Sequence, residues 1–178
     1  MIDININGEM TIRPATPRDA ERLTQLGRQT FVDKFGHLYP PEDLADFLAT
    51  AHTPEKYAAW ASDPAYGLWI VERGETAIAY ALAGPCHLPH PDVTPDCGEL
   101  CRIYVLAEAQ GAGLGGRLLT LALDWLERSG RTLWIGVWSE NLGAQRLYAR
   151  YGFEKAGEYE FPVGATRDQE FILRRAAP

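Results

Sequence analysis

Gly98-Glu99-Leu100-Cys101-Arg102-Ile103-Tyr104-Val105-Leu106-Ala107-Glu108-Ala109-Gln110-Gly111-Ala112-Gly113-Leu114-Gly115-Gly116 is the stretch on which the fold turns. Gly98 to Val105 reads as a buried strand, and a glycine loop follows it. From Leu114 to Ser129, Arg117, Thr120, Asp124, Glu127 and Arg128 recur at helical spacing, while Leu118, Leu119, Leu121, Ala122, Trp125 and Leu126 cover the rest. A strand, a glycine loop and a helix in this order set the positive helix end beside backbone N–H groups that an anion can approach. A pyrophosphate is the natural occupant. The plain alternative is a flexible connection, but so many glycines cost backbone entropy without return there.

Working toward the N-terminus, Met10 to Arg13 reads as a strand, and Thr16-Pro17 caps and starts a helix that runs to about Val32. Gly36 and the prolines at 40 and 41 break the chain before a second helix near Glu42, and a helical turn or two follows Pro54. Gly67 to Glu72 and Ala77 to Ala83 form a hairpin about Gly74. Toward the C-terminus, Leu133 to Trp138 is a strand, Asn141 caps a short helix through Tyr151, and strands near Phe153–Phe161 and Gln169–Arg174 close the chain. The order is βααββ, βαβ, αββ. It implies an α/β (α+β) fold in one domain spanning 1–178, with a mixed, mostly antiparallel central sheet of about seven strands and helices on both faces.

The chain has 178 residues, 46% of them hydrophobic, as expected of one globular domain with its own core. No segment reaches about 18 consecutive apolar residues and the start lacks a signal-peptide pattern, so a cytoplasmic protein with no membrane partner is expected. Cys86, Cys97 and Cys101 form no C-x-x-C pair, which suits a reducing compartment. A net charge of -7 works against nucleic-acid binding and suits a small cationic partner.

Gly111, Gly113 and Gly116 match G-x-G-x-x-G, yet Leu106 to Gln110 separates them from the strand, and too little chain follows for a second mononucleotide unit. Glu140, which ends the next strand, is the one acid placed for a ribose. A Walker loop is excluded because Arg117-Leu118 stands where Lys-Ser/Thr is required.

Gln110-Gly111-Ala112-Gly113-Leu114-Gly115 resembles the Gln/Arg-x-x-Gly-x-Gly/Ala signature of the GNAT superfamily of N-acetyltransferases. Trp138-Ser139-Glu140-Asn141, Leu147-Tyr148 and Tyr151-Gly152-Phe153 resemble that family's second motif. Phe31-x-x-x-Phe35-Gly36-His37-Leu38-Tyr39-Pro40-Pro41 and Glu99-Leu100-x-Arg102-x-Tyr104-Val105 look like a bacterial subgroup that includes polyamine acetyltransferases. The resemblance implies acetyl-CoA as co-substrate and no metal. Its pyrophosphate would lie on Gln110, Gly111, Ala112, Gly113, Leu114, Gly115 and Gly116. A splayed strand at Ile103, Tyr104 and Val105 would bond the pantetheine and polarise the acetyl carbonyl.

Acetyl transfer to an amine needs a base for the ammonium, which at pKa ~10.4 is neutral in about one molecule in 2,500 at pH 7, and an acid for the leaving thiolate. Glu99 lies six residues before Val105, so strict alternation puts it on the face of Cys101, Ile103 and Val105. It reads either as the base acting through water or as a strand-entrance carboxylate paired with an Arg. Asn141, Ala144, Gln145 and Tyr148 share one helix face that can line the cofactor. Tyr148 is the family-matched acid, with core packing as its other reading. Phe35, His37 and Tyr39 are candidate substrate contacts, His37 being either that or a surface residue.

Cys86, His90, Cys97 and Cys101 match no zinc spacing, and Cys101 has no sequence-defined base to make it a nucleophile. Trp134 and Trp138 share parity and read as core or dimer-interface residues, which admits a homodimer. The expected function is transfer of acetyl from acetyl-CoA to a primary amine of a small molecule, polyamine-like because Asp33, Glu42, Asp43 and Asp46 crowd the acceptor-side loops, a solvated acidic face being the other reading of those charges. The alternatives are acetylation of a protein N-terminus or lysine, which needs an open peptide groove, and a non-catalytic CoA-binding regulatory module.

Overall fold

The computed structural model describes residues 4–6, 10–128 and 130–177. Strands β1 (Ile4–Ile6), β2 (Met10–Pro14), β3 (Gly67–Arg73), β4 (Thr76–Pro85), β5 (Gly98–Val105), β6 (Leu133–Trp138), β7 (Glu154–Val163) and β8 (Thr166–Arg175) form one sheet in the order β1-β2-β3-β4-β5-β6-β8-β7. Every neighbouring pair is antiparallel except β5 and β6. The seven expected strands are present, and β1 adds a short edge to them.

Helices α1 (Ala20–Phe35) and α3 (Pro54–Ser62) cover one face, where Leu23, Leu26 and Tyr57 meet Leu68, Ile70, Tyr80 and Leu82. On the other face α4 (Leu114–Glu127) packs Leu118, Leu119, Ala122 and Leu126 against Val71, Ala79, Ala81 and Leu100, and α5 (Leu142–Arg150) joins it through Tyr148. Helix α2 (Pro41–Ala51) lies toward β7, in an aromatic cluster with Phe31, Tyr39 and Val163. The turn or two expected after Pro54 is a nine-residue helix capped by the Thr53 side chain. Asp19 closes a capping box at the head of α1, accepting from Thr16 N at 2.8 Å and Thr16 Oγ1 at 3.0 Å. Among the described residues, no helix is long and apolar enough to cross a membrane.

Two irregularities position the site. Parallel strands β5 and β6 pair only at Gly98–Leu133 and Glu99–Trp134, then part. Opposite β5, Leu82 pairs with Arg102 and Ala83 with Leu100, so Cys101 is an extra, bulged residue. The bulge corrects the strict alternation expected from Glu99. Glu99 shares its face with Cys101, Arg102 and Tyr104, whereas Ile103 and Val105 pack with the α4 core.

Candidate active site

Beyond the last β5–β6 pair the backbone of β5 has one edge on β4 and one on an open gap. Leu106 N–H donates to Ile78 C=O at 2.9 Å, which fixes the phase of that antiparallel ladder. Tyr104 therefore exchanges its bonds with Tyr80, and the N–H groups of Ile103 and Val105 turn to the gap. Of the three strand residues singled out by sequence, Ile103 and Val105 offer backbone donors there. Tyr104 instead offers its ring, stacked on Tyr80 with centroids 5.8 Å apart.

The glycine loop closes one end of the gap. Gly111 and Gly113 have φ of 83° and 73°, a left-handed backbone that favours glycine. At Gly111, Gly113, Gly115 and Gly116 an added Cβ would meet no atom of the described residues within 4 Å, so no packing among them requires the bareness of these glycines. Such a cradle fits a ligand that must approach the main chain. Arg117 N donates to Gly113 O at 3.2 Å as α4 begins, which leaves the N–H groups of Leu114, Gly115 and Gly116 as free first-turn donors. The Leu114 side chain is buried in the core, so only its backbone can serve a ligand. Gln110 braces the loop, its Nε2 donating to Val105 O at 3.2 Å. A cavity of about 780 Å³ runs from this loop along Ile103 to Val105 toward α5.

A second cavity of about 400 Å³ lies across the gap. Phe35, Ile103, Tyr104, Asn141, Ala144 and Tyr148 border both, so the two meet at α5. Asn141 caps α5, accepting from Ala144 N at 3.3 Å. Gln145, expected on the same face, instead donates to Trp138 O and Ser139 O at 3.2 and 2.8 Å and fixes the turn. The Tyr148 hydroxyl makes no hydrogen bond among the described residues, and Tyr148 borders both cavities where they meet. Burial pushes this phenol above its ordinary pKa.

The smaller cavity is aromatic and acidic. Glu99 Oε2 accepts from His87 N at 2.9 Å, and burial raises the carboxyl pKa. Glu170 accepts from Tyr159 OH at 2.7 Å and is likewise raised by burial, while Asp168 accepts from Tyr39 OH. Phe35 and Tyr39 line this cavity as expected, but His37 is turned to solvent on the Gly36–Leu38 turn and lies outside it. Trp134 is core, packed with Cys86, Leu88 and Cys97, whereas Trp138 lines the cavity wall against Phe35.

The acidic loop residues are not where sequence had set them. Asp43 is spent on the β7–β8 turn, accepting from Ala165 N, Thr166 N and Thr166 Oγ1 at 2.9, 3.1 and 2.7 Å. Asp33 borders the larger cavity, and Glu42 and Asp46 are exposed. The carboxylates that line the smaller cavity are Glu99, Asp168 and Glu170. The signal for the last two was available, since two acids at positions of equal parity lead into a terminal apolar strand.

Residues 28–153 match the sequence model of the acetyltransferase (GNAT) family. An uncharacterized N-acetyltransferase from the pepI 3′ region of Lactobacillus delbrueckii subsp. lactis is 29% identical over 160 residues, covering 89% of this chain and 92% of that one. The PaiA N-acetyltransferase of Thermoplasma acidophilum, solved in complex with coenzyme A, superposes with a TM-score of 0.74 at 17% identity, over 94% of this chain and 98% of that one. The ribosomal-protein-alanine N-acetyltransferase of Brucella melitensis gives a TM-score of 0.70 at 23% identity, over 93% and 98%.

Proposed function

This chain belongs to the acetyltransferase (GNAT) family and is an acetyl-CoA-dependent N-acetyltransferase, and we propose that its acceptor is a small primary amine bearing a second cationic nitrogen, as polyamines do. The observation that carries this reading is the row of carboxylates in the acceptor-side cavity, Glu99 at the strand split and then Glu170 and Asp168. Asp168 and Glu170 are two apart on β8, hence about 6.6 Å along the strand, a span suited to separated ammonium groups rather than one. The roof favours a small molecule over a peptide, because Asp43 ties α2 to the β7–β8 turn and Tyr39 meets Asp168.

In this reading the first-turn N–H groups of α4 and the bare glycines hold the pyrophosphate, and the backbone of Ile103 and Val105 holds the pantetheine arm. One of those two N–H groups polarises the thioester carbonyl and stabilises the negative charge that develops on its oxygen. Glu99 takes the ammonium proton, directly or through water. Its raised pKa suits a base working near neutrality. Tyr148, at the junction of the cavities, gives its proton to the departing thiolate. A phenol is protonated at neutral pH and so has a proton to give when that charge appears.

Steady-state kinetics with spermidine, an α,ω-diamine, a monoamine of equal length and an N-terminal peptide test the acceptor class. Higher kcat/KM is expected with the first two than with the monoamine, and Asp168→Asn should raise their KM by ~10-fold while leaving the monoamine's kinetics unchanged. Equal kcat/KM for diamine and monoamine, or preference for the peptide, removes the reading.

A further inference from the structure

One charged side chain in the acceptor cavity has no part in this chemistry. The Arg102 guanidinium lies 4.9 Å from the Trp60 ring and 5.9 Å from the Tyr57 ring, and no carboxylate reaches ion-pair distance among the described residues. It donates to Ala51 O at 3.0 Å and Tyr57 OH at 3.2 Å, and its Nη1 lies 3.3 Å from His52 Nδ1. Ala51 is the last residue of α2, so the cation meets the negative end of that helix and two aromatic faces. The hydroxyl of Tyr57 also meets Tyr80 OH at 2.9 Å and His52 Nδ1 at 2.8 Å. Every partner belongs to the α2–α3 segment or the face beneath it.

Arg102 directly follows the bulged Cys101, and the adjacency has a cause. In an unbulged β5, alternation from Glu99 would send Leu100 toward α4, Cys101 to the cavity and the guanidinium at 102 back under α4. There it would meet the apolar core of Leu118, Leu119, Leu123 and Leu126, which has no partner for a cation. An extra residue before Arg102 avoids that burial. It also sets the phase of everything after it, because one step along a strand exchanges both the faces of side chains and the edges of N–H groups.

We propose that Arg102 is the positioning residue of the acetyl-transfer site: its charge, excluded from the α4 core and held by α2–α3, maintains the bulge that turns the N–H groups of Ile103 and Val105 into the gap. The inference concerns the backbone of β5 and does not depend on which amine is the acceptor.

Residue-resolved amide hydrogen exchange on the CoA-free protein reads this phase directly. In the wild type, the amides of Ile103 and Val105 exchange fast and that of Tyr104 is protected, and adding CoA slows the first two. In Arg102→Leu the bulge is no longer enforced, so Tyr104 opens and Ile103 and Val105 become protected, each by ~100-fold or more. Arg102→Lys keeps a cation and therefore the wild-type pattern. A wild-type pattern in Arg102→Leu, or the inverted pattern in Arg102→Lys, overturns the proposal. Should the leucine variant not fold, deletion of Cys101 decides. Without its extra residue the strand already delivers Arg102 to the cavity face, so Ile103 and Val105 must stay open, and their protection there overturns the proposal. Amine-panel kinetics play no role, so a wrong acceptor class would leave these outcomes unchanged.

Discussion

Carboxylates are used in two opposite ways at the two ends of this molecule. Where β2, β3 and α1 meet, Arg13 reaches Asp19 at 2.7 and 2.8 Å and Glu72 at 2.7 and 2.9 Å, and Arg22 adds a bond of 2.6 Å to Glu72. The Arg13 hydrogen bonds hold Asp19 well below the usual carboxylate range, and at Glu72 burial acts upward but the two arginines outweigh it. In the acceptor cavity the balance reverses. Glu99 and Glu170 have a backbone N–H and a phenol for company, and burial raises both. A paired carboxylate lowers the energy of the folded state. An unpaired buried one costs stability, and two of them in one cavity are what the proposed function reads as a ligand site.

The largest effects belong to the cavity. Tyr148→Phe retains the ring and removes the hydroxyl, and kcat should fall by ~10²-fold with CoA affinity unchanged in a calorimetric titration. Glu99→Gln should lower kcat/KM by a similar ~10²-fold near neutrality, and the deficit should shrink toward pH 9 to 10, where more of the amine is already neutral. Parallel pH–rate profiles for wild type and Glu99→Gln would make Glu99 one more structural carboxylate, erasing the contrast with Asp19.

Asp19→Asn probes the other end. It removes the main anionic partner of Arg13 and should cost about 2–3 kcal/mol of unfolding free energy while leaving kcat unchanged. The sign with pH follows from the direction of the shift. Because the folded-state pKa of Asp19 is depressed, its stabilisation is full above the unfolded value near 3.9 and is lost as pH falls through the lower folded one. Denaturant titrations of wild type and variant should therefore converge in acid. A constant gap down to pH 2 would mean that helix capping, not charge, is what Asp19 supplies.

What could be read from the sequence divides along the same lines. The seven main strands, α4 and the glycine loop followed from short-range periodicity and from Gly, Pro and cap residues, all of which act within a few positions. The bulge at Cys101 did not, because no glycine or proline marks it and its cause is a long-range conflict between Arg102 and the α4 core. The resemblance offers Ile103, Tyr104 and Val105 alike as backbone ligands, but that the Tyr104 N–H faces β4 depends on ladder phase, which sequence does not carry. The sequence offers Asp33, Glu42, Asp43 and Asp46 as acceptor-side loop acids or as a solvated face, whereas the carboxylates of β8 that line the smaller cavity are Asp168 and Glu170. Pairing across more than a hundred residues, as between Tyr39 and Asp168, lies beyond any local pattern.

The smallest effect is the most direct test of the contrast, since it predicts a gain. Glu170→Gln keeps an acceptor for Tyr159 OH and removes a charge that burial disfavours. A carboxylate whose folded pKa is raised contributes its stability below the unfolded value near 4.3 and loses it as pH climbs through the higher folded value. The glutamine variant should therefore be more stable than wild type at pH 7, by up to about 1 kcal/mol, and equal to it below pH ~3, where Glu170 is protonated in both states. Activity should move the other way, with KM for a diamine rising several-fold and kcat for a monoamine unchanged. If Glu170→Gln instead destabilises the protein at pH 7 as Asp19→Asn does, Glu170 is a structural carboxylate like those beside Arg13. The cavity's charge would then rest on Glu99 and Asp168 alone.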